Sequence, residues 1–184
     1  MKKKKLVILG SGPSQVSGIV TAVECGHHVV TVDWDLENPG HKFSHESYCL
    51  DTSDVEGISK LVKEIGADGI CTFASDLASV SVSHVSENTG LAGVPSNICS
   101  LISNKNRFRE FQKRESLPHP EFTCVGMEWS GLIPEELGDL LVVKPIDSSG
   151  SKGVAILPRD HVKLNEAIMF AISKIDSLDF FISS

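Results

Sequence analysis

Two lysines and a short run of small residues carry the strongest chemical signal in the sequence. Lys144 ends the apolar run Leu140 to Val143, and Lys152 nearly begins the next run, Val154 to Leu157. Between them lies the loop Asp147-Ser148-Ser149-Gly150-Ser151-Lys152-Gly153. Glycines in such a loop let backbone N–H groups approach an anion closely, and the serine hydroxyls add donors. The lysines bring the positive charge that phosphate oxygens require. A plain hairpin would use a tighter two-residue turn. The loop therefore reads as a lid over a phosphate, weighed against a functionless hairpin tip. It is not a Walker loop, because no Gly-Lys-Ser/Thr follows at the required spacing. Lys105 joins this reading from the start of a polar helix, where its charge opposes the helix dipole unless an anion is near. Taken alone it is weak, since most lysines at helix ends are simply solvated.

A second pattern is Gly10-Ser11-Gly12-Pro13-Ser14-Gln15, set between a strand and a helix. A dinucleotide fingerprint needs a third glycine, for tight contact between helix and strand, and Gln15 holds that place. Asp33 closes the second strand where a ribose-binding acid would lie, so a nicotinamide-dependent oxidoreductase stays open as an alternative. His41, His45 and Cys49 recur every fourth residue. A Pro-Gly breaker precedes them and no second cluster follows, so no metal site is expected there. Nothing in the chain resembles a Ser-His-Asp or Cys-His catalytic set, and no catalytic residue is assigned.

The elements that must position these residues alternate in period. Leu6 to Leu9 is a short apolar run, as expected of a buried parallel strand. Val16, Ile19, Val20 and Val23 repeat at helical spacing, with Gly26 as the stop. Val29 to Val32 predicts a second strand. Val55, Ile58, Leu61, Val62 and Ile65 predict a helix closed by Gly66, Ile70 to Phe73 a third strand, and Leu77 to Val85 a third helix. This order predicts a parallel sheet with helices on its faces. After Gly93 the rhythm changes. Ser103 to Glu115 reads as a polar helix, Leu117-Pro118-His119-Pro120 as a boundary, Val162 to Ile175 as a helix, and Phe180 to Ile182 as a strand.

The chain has 184 residues and a formal net charge of -7, from 17 Lys and Arg against 24 Asp and Glu. A surface this acidic repels a phosphate backbone, so nucleic acid is not an expected partner. The apolar run after Lys2 to Lys5 is too short for a secretory signal, and no stretch is long enough to span a bilayer. A cytoplasmic protein without membrane contact is expected. The five cysteines are widely spaced, form no CxxC pair and read mostly as small buried hydrophobes.

Taken in order, several segments resemble the ATP-grasp superfamily, in its branch similar to the large subunit of carbamoyl-phosphate synthase. They are Ile8 to Pro13, Asp33, Ser75-Asp76, Gly90 to Pro95, Asn104-Lys105 and Leu117 to Pro120. The most specific is Val142-Val143-Lys144-Pro145 followed by Ser148 to Val154. The resemblance implies an α/β fold: a Rossmann-like pre-ATP-grasp parallel sheet over residues 1–95, then a linking helical segment over 96–116. A partial α+β ATP-grasp subdomain would occupy 117–184. It implies an ATP-dependent, ADP-forming ligase that activates a carboxylate as an acyl phosphate for attack by an amine or similar nucleophile. Lys105 and Lys144 would contact ATP phosphates, with Ser148, Ser149, Gly150, Ser151, Lys152 and Gly153 as the flap. Gly10, Ser11, Gly12 and Asp76 would lie near the acceptor substrate. The family's Mg2+ ligands lie well downstream of the flap, so they are expected beyond Ser184, and these residues alone are not expected to turn over. A non-catalytic nucleotide-binding module is the remaining alternative. Bare sheet edges lead to an expectation of homo-oligomers.

Overall fold

The computed structural model describes residues 3–126, 132–146, 153–172 and 180–183. The chain divides into two compact units, Met1–Ser100 and Leu101–Ser184.

The first unit is built on a parallel sheet. Its strands β1 (Lys5–Leu9), β2 (His28–Asp33), β3 (Glu46–Cys49) and β4 (Gly69–Thr72) lie in the order β3-β2-β1-β4. Side chains alternate across a strand, and both faces here are apolar, so β1 is buried throughout its second half. Ile8 and Val29 pack with Ile19 of α1 (Val16–Glu24) on one face. Val7, Leu9, Val30, Val32 and Ile70 meet Ile58, Leu61 and Val62 of α2 (Val55–Glu64) on the other. Ala78 and Val85 of α3 (Asp76–Thr89) complete that second core. Asp54 caps α2 by accepting from the Gly57 N–H, and Ser75 caps α3 by accepting from the Ala78 N–H. Gly26, Gly66 and Gly90 follow the three helices with positive φ, as αL helix stops do.

The helix α4 (Ser96–Ser103) leads into the second unit. There α5 (Lys105–Arg114) precedes a four-stranded antiparallel sheet. The strands β5 (Phe122–Val125), β6 (Leu140–Pro145), β7 (Ala155–Pro158) and β8 (Phe180–Ser183) lie in the order β5-β8-β6-β7. Leu141, Val143, Val125, Leu157 and Ile182 point to one face, where Leu164, Ala167 and Ile168 of α6 (His161–Ile172) cover them. Alternation turns Leu140, Val142 and Lys144 to the other face. There Ile156, paired with Val142, is 68% exposed.

Some expectations change in the structure. The parallel sheet gains β3, whose half-exposed Glu-Ser-Tyr-Cys carries no apolar alternation to announce an edge strand. The antiparallel sheet gains β5 in the same way. Only Cys99 is buried; Cys25, Cys49 and Cys124 are exposed and Cys71 is intermediate. A cysteine follows the face its strand or turn assigns it, not its own hydrophobicity.

Candidate functional site: a cationic cluster and a glycine turn

The second unit gathers positive charge at the end of β6. Asn104 caps α5 by accepting from the Arg107 N–H at 3.0 Å, which sets Lys105 in the first turn. The Lys105 N–H and Nζ each donate to the carbonyl oxygen of Ile146 at 3.2 Å. Lys144 stands two residues earlier on β6, on the face that α6 leaves uncovered. Burial, then the charges of Arg109 and Lys105, hold the Lys144 ammonium below the usual lysine range. The first cause costs the charged form solvation, and the other two are like-charge repulsion. Polyphosphate is the kind of ligand that relieves both, so the donor set fits a nucleotide phosphate chain.

Of the expected flap, Gly153 is buried with φ 71°, a conformation that favours glycine. Ser148, Ser149, Gly150, Ser151 and Lys152 lie outside the described residues.

The first unit presents a glycine turn at the C-terminal edge of its sheet. Gly10 has φ 88°, and its N–H donates to the Val32 carbonyl at 2.8 Å. The buried Asp33 carboxylate accepts from the Ser11 N–H at 2.7 Å and from Ser11 Oγ at 3.2 Å. Gln15 is buried over the turn, and its Nε2 donates to the Phe73 carbonyl at 2.7 Å. A Cβ added at Gly12 would stand 3.1 Å from Gln15 Oε1, and one at Gly10 3.3 Å from Gln15 Cδ. The space a dinucleotide pyrophosphate would enter is thus taken by the Gln15 amide, and the acid a ribose would need is committed to Ser11. Both observations weigh against the nicotinamide reading. Asp76 is exposed in the first turn of α3, after Ala74 at φ 52°.

His41, His45 and Cys49 serve separate local roles. His41 Nδ1 bonds Thr31 Oγ1 at 2.8 Å, His45 Nδ1 accepts from the Val29 N–H at 3.1 Å, and Cys49 Sγ donates to the Trp34 carbonyl. Among the described residues no three His, Cys, Asp or Glu side chains group as a metal site. Sequence reasoning did not single out Arg109, although its place four residues after Lys105 on a polar helix was a readable signal.

The chain matches no family model. It is 26% identical over 178 residues to a formate-dependent phosphoribosylglycinamide formyltransferase of Prochlorococcus marinus subsp. pastoris, covering 94% of this chain and 45% of that protein. The Corynebacterium efficiens protein of the same name is 31% identical over 157 residues, covering 83% and 39%. The chain thus spans less than half the length of these relatives. Among solved structures it resembles N5-carboxyaminoimidazole synthetase from Staphylococcus aureus complexed with ADP, with TM-score 0.80 and 18% identity over 100% of this chain and 48% of that one. It also resembles an L-amino acid ligase from Bacillus licheniformis, with TM-score 0.76 and 20% identity over 100% and 44%. In its parallel sheet and the antiparallel sheet that follows, this chain matches the fold of the N-terminal part of ATP-grasp ligase structures.

Proposed function

We propose that the protein acts as an ATP-dependent, ADP-forming ligase and that this chain supplies its phosphate-binding lysines. ATP would phosphorylate a small carboxylate to an acyl phosphate, which an amine or similar nucleophile then attacks. The relatives' name speaks of formate; for this chain the proposal is the reaction class. The observation that carries it is the meeting of Lys105 and Lys144 at the end of β6. Catalysis of phosphoryl transfer is mostly positioning and charge neutralisation, and lysines held there supply both.

Lys105 would hold its oxygen partner through a fixed first helical turn, while Lys144 would act from the uncovered face of the sheet. Residues 148–153 would close over the phosphates. The Gly10 to Gly12 turn and Asp76 would face the acceptor substrate, since ligands of open parallel sheets bind at the carboxyl ends of the strands. In this reading residues 1–95 form the pre-ATP-grasp domain and 117–184 the first ATP-grasp subdomain, in a cytoplasmic enzyme. Magnesium would bind ligands outside these residues, and no step is assigned to it.

The test is Lys144→Ala in the whole protein. ATP-dependent turnover should fall by roughly a hundredfold or more, as when a preorganised charge contact to the transition state is removed. Full retained activity would overturn the assignment.

A further inference from the structure

Arg109 shares the helix α5 with Lys105. It lies four residues after Lys105 on α5, and residues four apart share a helix face. That helix is tied to β6 where the Lys105 N–H and Nζ both donate to the Ile146 oxygen. Arg109 is half-buried, and its contacts with Gln112 and Phe108 are neutral. Nη1 donates to Gln112 Oε1, and the guanidinium carbon lies 5.7 Å from the centroid of the Phe108 ring. Among the described residues, no ion pair includes Arg109. Its charge nevertheless bears on Lys144 more strongly than that of Lys105.

Like charges that bear on one another repel, and a bound anion offsets that repulsion. Gln112 and Phe108 fix the guanidinium plane without neutralising it, so its fork remains suited to two oxygens of one anion. An ammonium, by contrast, acts as a point charge.

We infer that Arg109 is a third cationic contact of this site, which with Lys105 and Lys144 grips a polyphosphate chain. The inference rests on the nucleotide reading above and adds a residue to it. Its consequence is specificity for the phosphate end: Arg109 contributes to binding of a triphosphate and nothing to binding of the nucleoside.

The experiment is calorimetric titration of the whole protein with a non-hydrolysable ATP analogue, inorganic tripolyphosphate and adenosine. It is run on wild type, Arg109→Gln, Arg109→Lys and Lys144→Ala, from neutral pH upward through the lysine range. Arg109→Gln should weaken the analogue and tripolyphosphate about tenfold or more and leave adenosine unchanged, while Arg109→Lys retains part of the affinity. The alkaline fall in analogue affinity should also move to higher pH in Arg109→Gln, because Lys144 loses a repelling neighbour. A merely structural residue would not move that limb.

Wild-type affinity for tripolyphosphate in Arg109→Gln, with binding lost in Lys144→Ala, overturns the inference and leaves the nucleotide reading standing. Equal losses in Arg109→Gln and Arg109→Lys, with lowered melting temperatures and an unmoved alkaline limb, also overturn it. A wild type that binds neither polyphosphate overturns both.

Discussion

Asp33 shows how one residue type supports two readings until its partners are known. At the end of a second parallel strand, an acid can receive a ribose hydroxyl. Here both hydrogen bonds to its Oδ2 come from Ser11, at 2.7 Å from the backbone and 3.2 Å from the hydroxyl, in a buried setting. Asp33→Ala would leave the Ser11 N–H buried without its acceptor. The expected cost is about 1–3 kcal/mol, readable by denaturant unfolding. Asp33→Asn keeps an acceptor oxygen and should cost less. An alanine variant as stable as wild type would mean that water replaces the carboxylate at no cost.

At the scale of elements, the segment between β2 and β3 braces the glycine turn. The Gly40 N–H donates to the Ser11 carbonyl at 2.7 Å, and a Cβ at Gly40 would fall 2.6 Å from that same oxygen and from Ile19 Cδ1. Gly40→Ala should therefore destabilise by about 1–3 kcal/mol, the cost of overpacking a tight contact with backbone. It should also disturb the backbone amides of Gly10 to Gly12, which NMR shifts would report. The edge strand β3 depends on a different contact. Glu46 accepts from His28 Nε2 at 2.6 Å and from the Tyr48 hydroxyl at 3.2 Å. The His28 hydrogen bond, helped by Lys5 and Tyr48 against partial burial, holds its carboxyl below the ordinary value of 4.5. A carboxylate whose pKa is depressed on folding stabilises fully above its unfolded pKa, and that stability is lost as pH falls through the folded one. Stability should thus decline on acidification below pH 4.5, and Glu46→Gln should flatten that acid limb. An acid limb of unchanged slope in Glu46→Gln would show that other carboxylates carry it.

For the molecule as a whole, the nucleotide and nicotinamide readings differ in what raises the melting temperature. A ligand that binds only the folded state stabilises by RT ln(1 + [L]/Kd), so two ligands can be compared directly. Mg·ATP should raise the midpoint and NADH should leave it unmoved, because Gln15 fills the turn a dinucleotide would need. A shift with NADH alone would return the chain to the oxidoreductase reading. Among the described residues no helix is long and apolar enough to cross a membrane.

Much of the architecture was legible because it rests on local patterns. The apolar runs of β1, β2 and β4 and the helical spacing of Val55 to Ile65 are set by which side chains must leave water. Lys105 and Lys144 were legible as charges beside a strand end and a helix start, each against the grain of its surroundings. The edge strand Glu46–Cys49 was not, because a strand paired on one side and open on the other needs no apolar alternation. Nor was the effect of the Arg109 charge on Lys144, or the commitment of Asp33 to Ser11. Those depend on which residues distant in the chain are packed near one another, and packing of the sheets and helices decides that, not spacing along the sequence.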